Sequence, residues 1–165
     1  DNSPLAVDAV TVHPYLGLGA LAPMVRLAAR NGRGLLVVAR SSNPEGRALQ
    51  EARTAEGTTV EDMLLGEIAA VNASPDVPSG TVGAVVGATL EASTFPLSQL
   101  RGVILAPGLG AQGAGPADVA RRFRDCEPGT VLPSASRAVL EGGPDPKELR
   151  RRAETLGREL AALMP

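Results

Sequence analysis

Five short apolar runs separated by stretches of helical periodicity constrain this chain more than any other feature. They are DAVTVHP (8–14), GLLVVAR (34–40), VGAVVGA (82–88), GVILAP (102–107) and TVLP (130–133). Most are continuous rather than alternating, as strands buried on both faces are. Between them, LAPMVRLAARNG (21–32) is amphipathic and stops at Asn31-Gly32, a good C-cap pair. TTVEDMLLGEIAAVNA (58–73) opens on a Thr-x-x-Glu/Asp capping signal, and PADVARRFRDC (116–126) and DPKELRRRAETLGRELAALM (145–164) complete the helices. Arginines 150 to 152 are expected on the solvated side of the last one. Strand–helix alternation of this kind builds βαβ units, in an open doubly wound sheet or a barrel.

The position of the unusual residues selects between these. His13-Pro14-Tyr15, Ser41 to Pro44, Thr89, Pro107 to Gly113 and Ser134 to Arg137 each follow one of the five runs. Polar and glycine residues at the carboxyl ends of successive strands are the pattern of a (β/α)8 TIM barrel, whose phosphate site is built by its last two βα loops. An open sheet would gather its ligand groups at one switch point. Five strands do not close an eight-stranded barrel, so the reading is about five βα units of one, with strands expected upstream.

The last two loops carry the chemistry. In VILAPGLGAQGAG (103–115) an apolar run feeds a loop with four glycines. Glycine lets the backbone approach another group closely, successive N–H groups suit an anion, and the helix starting at Pro116 would add its positive end. Gly108 to Gly113 also satisfies the dinucleotide pattern GxGxxG. That motif needs an acidic residue after the next strand, roughly 20 residues on, where this chain has TVLPSASR. Phosphate is therefore favoured over a dinucleotide, and over a plain glycine-rich turn.

Composition narrows the partners. The net charge is −2 with 21% charged residues, which gives no basis for attraction to nucleic acid or membrane. No run approaches the ~18 apolar residues of a membrane helix, and the start DNSPLAVDAV lacks the features of a signal peptide. A single cysteine, Cys126, excludes an internal disulfide and reads as a small half-buried side chain. A cytoplasmic protein is expected. Lys147 is the only lysine beside fifteen arginines.

Taken in order, the loops TVHPYLG, SSNPEG, GAVVGAT, APGLGAQGA and LPSASRAVLEGG resemble those of the orotidine 5'-phosphate decarboxylases, most closely the longer, second sequence class of that family. The resemblance implies a lyase of pyrimidine biosynthesis that converts orotidine monophosphate to uridine monophosphate (UMP) and carbon dioxide. It also implies no cofactor, no metal and a homodimer. By the same resemblance Ser42 hydrogen-bonds the pyrimidine edge, and Pro107, Gly108, Gly110, Gln112 and Gly113 border the phosphate. Arg137, beside Ser136, grips the phosphate directly, which a planar guanidinium does well. His13, Asn43 and Thr89 are possible lining residues, His13 being equally readable as a core histidine. Arg137 as a plain surface residue and Ser42 as a plain turn former are the rival readings.

One departure matters for mechanism. Members of the family carry an Asp-x-Lys-x-x-Asp motif after the third strand and another lysine after the second, and nothing here matches either. Lys147 follows GGPDP and opens the final helix. The expectation is that residues 1–165 form the C-terminal part of a single barrel domain, strands four to eight. No catalytic residue is then in this chain, the lysine-bearing N-terminal half is its required partner, and the chain alone is inactive. Another phosphosugar barrel enzyme and a non-catalytic half-barrel that binds phosphorylated ligands are the alternatives.

Overall fold

The computed structural model describes residues 3–88, 94–110 and 113–164. Five strands, β1 (Ala9–Val12), β2 (Gly34–Arg40), β3 (Val82–Val86), β4 (Ile104–Pro107) and β5 (Val131–Ser134), form one sheet. Spatial order equals chain order and every pairing is parallel. A doubly wound sheet must reverse its strand order somewhere. This one does not, so the five units are a portion of a (β/α)8 barrel, wound in one direction.

The longer helices form where periodicity and caps place them. α1 (Ala22–Arg30) ends at Asn31, and Gly32 takes the left-handed φ of 60° that lets the Arg33 amide donate back to Ala28. α2 (Arg47–Gln50) is a single turn with no expectation in the sequence pattern. α3 (Val60–Ala73) is capped by the Thr59 hydroxyl, which accepts from the Asp62 amide at 3.1 Å. α4 (Pro116–Arg122) is shorter than its pattern, ending at Phe123. The one-turn α5 (Arg137–Leu140) follows β5, and α6 (Pro146–Leu163) starts at the Asp145 cap.

Burial corrects one expectation. Only β3 is buried at every residue; β2 and β4 alternate and β1 is largely exposed. The helices cover one face, where Leu35, Val37, Ile104 and Ala106 join Leu65, Ile68 and Val119 in the core. Leu36, Val38 and Leu105 alternate with them and are only half-buried. Continuous apolar runs thus reflect side chains meant for both faces, of which the described residues cover one.

The polar clamp at the lower edge of this core is Asn72. Its side-chain amide, wholly inside the core, donates to the carbonyls of Val82 (2.6 Å) and Leu100 (3.0 Å) and accepts from the Val82 amide (3.1 Å). It joins α3 to the start of β3 and to the turn before β4. Asn72→Leu strands these backbone groups and is expected to lower the unfolding free energy by about 3 kcal/mol, read by urea denaturation. A loss below about 1 kcal/mol, no more than one ordinary hydrogen bond contributes, would show that the clamp matters little.

Candidate active site

Because every strand is parallel, the described residues that follow strands β1 to β5 fall at one end of the sheet. Main-chain bonds keep the central strand ends level: Gly87 donates to the Arg40 carbonyl (3.0 Å) and Ala88 to that of Pro107 (2.9 Å). Pro107, the last residue of β4, pairs in register with Ser134, the last of β5. β1 ends earlier, its last residue Val12 pairing with Val37.

His13 therefore sits just beyond β1 and is exposed among the described residues. Ser42 is half-buried and Asn43 exposed in the loop after β2. Thr89 and Gln112 lie outside the described residues.

The glycine loop and the start of α5 come together. Gly108, Gly110 and Gly113 all have positive φ, at 107°, 79° and 91°. A Cβ at Gly110 would lie 2.6 Å from that of Ala138, the residue after Arg137. The loop thus rests directly on the turn that begins with Ser136 and Arg137. Both of those residues are exposed, and Arg137 has no ion-pair partner among the described residues.

Hydrogen bonding revises how that loop can meet an anion. The Gly110 amide donates to Ala114 (2.8 Å) and the Gly113 amide to Gly110 (3.1 Å), so both are used in holding the loop's shape. The Asp118 carboxylate accepts from the Gly115 amide at 2.9 Å, and this bond, with Arg121 beside it, holds the carboxyl below its usual range. The positive end of α4 is already neutralised. The glycines give the loop space and curvature, and Arg137 beside it carries an exposed positive charge.

Two features escaped the sequence reading. Arg40, the last residue of β2, is 7% exposed and pairs with Glu51 after α2 and with Glu61 in the first turn of α3, the latter at 3.6 Å. Burial pushes the Glu61 carboxyl up against the opposing pull of Arg40. An arginine closing the apolar run GLLVVAR was the available signal, since a charge there needs a partner. Arg152, expected in solvent, instead donates to the Ala138 carbonyl (3.1 Å) and pairs with Glu148, locking α6 under the α5 turn. Arg151 and Arg152 together hold the Glu148 carboxyl well below the ordinary range. Cys126 is half-buried as expected, and burial raises its thiol.

A family model described as "Orotidine 5'-phosphate decarboxylase / HUMPS family" matches residues 2–153. The chain belongs to that family. An orotidine 5'-phosphate decarboxylase of Salinispora tropica is 54% identical over 153 residues, covering 93% of this chain and 54% of the relative. That of Streptomyces coelicolor is 47% identical over 160 residues, covering 96% and 56%. The crystal structure of a family member from Streptomyces avermitilis superposes with a TM-score of 0.85 at 46% identity, covering 98% and 56%. The chain spans about half the length of the relatives it matches. A Methanocaldococcus jannaschii orotidine 5'-monophosphate decarboxylase, solved with the inhibitor BMP, shares the fold with a TM-score of 0.63 at 17% identity.

Proposed function

We propose that this chain is the ligand-holding part of an orotidine 5'-phosphate decarboxylase, supplying the phosphate and base contacts of orotidine monophosphate. The observation that carries the reading is the packing of Gly110 against Ala138, which brings the glycine loop onto the turn bearing the exposed Arg137, a residue with no ion-pair partner among the described residues. Identity of 54% to a named decarboxylase supports it.

In this reading Arg137 grips the phosphate through its guanidinium. Pro107, Gly108, Gly110, Gln112 and Gly113 border the phosphate, with Ser136 beside it. Ser42 bonds the pyrimidine edge, and His13, Asn43 and Thr89 lie at the rim. In this reading these groups bind and orient, and none of them donates the proton to carbon. Lys147, the only lysine, opens α6 after the Asp145 cap, well beyond Ser134, the last residue of β5. The proton donor is then contributed by βα units other than these five, which form the C-terminal part of one barrel domain. Their side chains would cover the half-exposed Leu36, Val38 and Leu105 face. The same reading includes a homodimer in the cytoplasm, working without a cofactor. Among the described residues no helix is long and apolar enough to cross a membrane.

The test is turnover by the protein carrying all eight βα units, followed by loss of orotidine monophosphate and appearance of UMP. Robust decarboxylation is expected. Conversion of a phosphorylated sugar with no decarboxylation would transfer the chain to the alternative barrel chemistry.

A further inference from the structure

The loop that bears Ser42 is folded back onto the end of β2 by side-chain contacts of its own. The pairing of β2 with β3 slips between Val38 and Arg40, where the residues opposite are Val85 and Val86. This bulge puts two consecutive buried residues, Ala39 and Arg40, where alternation would have exposed one. Arg40 is thereby brought to the α3 side, onto Glu61 and Glu51. The chain turns after it, with Gly46 donating to the Asn43 carbonyl (3.0 Å), and α2 delivers Gln50 beside Ser41.

Gln50 uses both ends of its amide there. Its Oε1 accepts from the Ser41 amide at 3.2 Å, and its Nε2 donates to the Ser41 hydroxyl at 3.2 Å. Gly46 closes the other side. A Cβ on it would lie 2.9 Å from Gln50 Nε2 and 3.2 Å from Ser41 Oγ, although its φ of −73° suits any residue. A side chain there would have to push the Gln50 amide aside.

We propose that Gln50, clamped on Ser41 against Gly46 and backed by the Arg40–Glu51 pair, is a positioning residue that sets where the adjacent Ser42 meets the pyrimidine. The inference rests on the reading that Ser42 contacts the base. Gln50 itself touches no ligand; it fixes the backbone one residue before the group that does. A loop serine left to sample several positions loses the oriented hydrogen bond without losing its hydroxyl.

The test uses the protein with all eight βα units. Gln50→Met and Gly46→Ala are each made alone and combined with Ser42→Ala, with kcat/KM for orotidine monophosphate and thermal unfolding measured on all. Each single change is expected to lower kcat/KM roughly tenfold, and Ser42→Ala by ten- to a hundredfold. Added to Ser42→Ala, neither Gln50→Met nor Gly46→Ala lowers it further, because residues acting through one group are not additive. Equal losses in both backgrounds overturn the positioning role while leaving the Ser42 contact intact, as does an unchanged value for both single variants. An unaffected Ser42→Ala overturns the base contact and the inference together. If Gln50→Met does not fold, Gly46→Ala, which is compatible with the native backbone, decides the question alone.

Discussion

Arg137→Ala is expected to weaken UMP binding roughly a hundredfold in the protein with all eight βα units, and uridine binding hardly at all. Removing a charged bidentate partner of a phosphate costs about 3 kcal/mol, and 1.4 kcal/mol is a factor of ten. The residue is suited to the task because no carboxylate among the described residues neutralises it. Arg40, Arg47, Arg121, Arg151 and Arg152 are paired with carboxylates, whereas Arg137 has no such partner among the described residues. Isothermal titration with both ligands checks the expectation. Arg137→Lys should recover part of the phosphate preference, since it restores the charge but not the fork. Equal weakening of UMP and uridine would instead show that the substitution disturbs the loop as a whole.

The backbone plan was legible because strand and helix periods are written in apolar spacing, and because the chain's special residues all fall on one side of that pattern. The Thr59 and Asp145 caps and the Asn31-Gly32 stop are local signals, and they operate locally in the structure. Less legible was anything that depends on which partner a polar group meets across the fold. The glycine loop's N–H groups looked available in sequence, yet Gly110 and Gly113 spend theirs on the loop itself. Arg152 looked solvated on helical spacing, yet a carbonyl of the one-turn α5 lies within its reach. That turn is too short to leave a periodic trace, as is α2, which brings Gln50 to Ser41. The short elements missing from the sequence pattern are those that hold the candidate site.

Gly83→Ala is expected to have a large effect on stability, about 4 kcal/mol or more, near the upper end for a single substitution. The reason is the closeness of β3 to the segment leading into β4. A Cβ at Gly83 would meet the Val103 carbonyl oxygen at 2.3 Å and the Leu36 side chain at 2.7 Å. Gly102 shows the reciprocal contact, its Cβ falling 2.3 Å from the Val82 carbonyl oxygen. The Leu36 methyl can move aside but the Val103 carbonyl is backbone and cannot, so the strands must part and the bond from the Ala84 amide to Val103 (2.9 Å) is lost. The damage would not stay in the sheet, because β4 ends at Pro107 and carries the glycine loop with it. Gly66→Ala supplies the contrast: it lies within α3 with nothing inside 4 Å of its Cβ, and there the same change should stabilise by about 0.5–1 kcal/mol. Thermal unfolding of the two variants in the protein with all eight βα units should therefore move in opposite directions, at roughly 2–4 °C per kcal/mol for a domain of this size class. A Gly83→Ala variant as stable as its parent would mean that β3 and β4 do not approach as closely as this register requires.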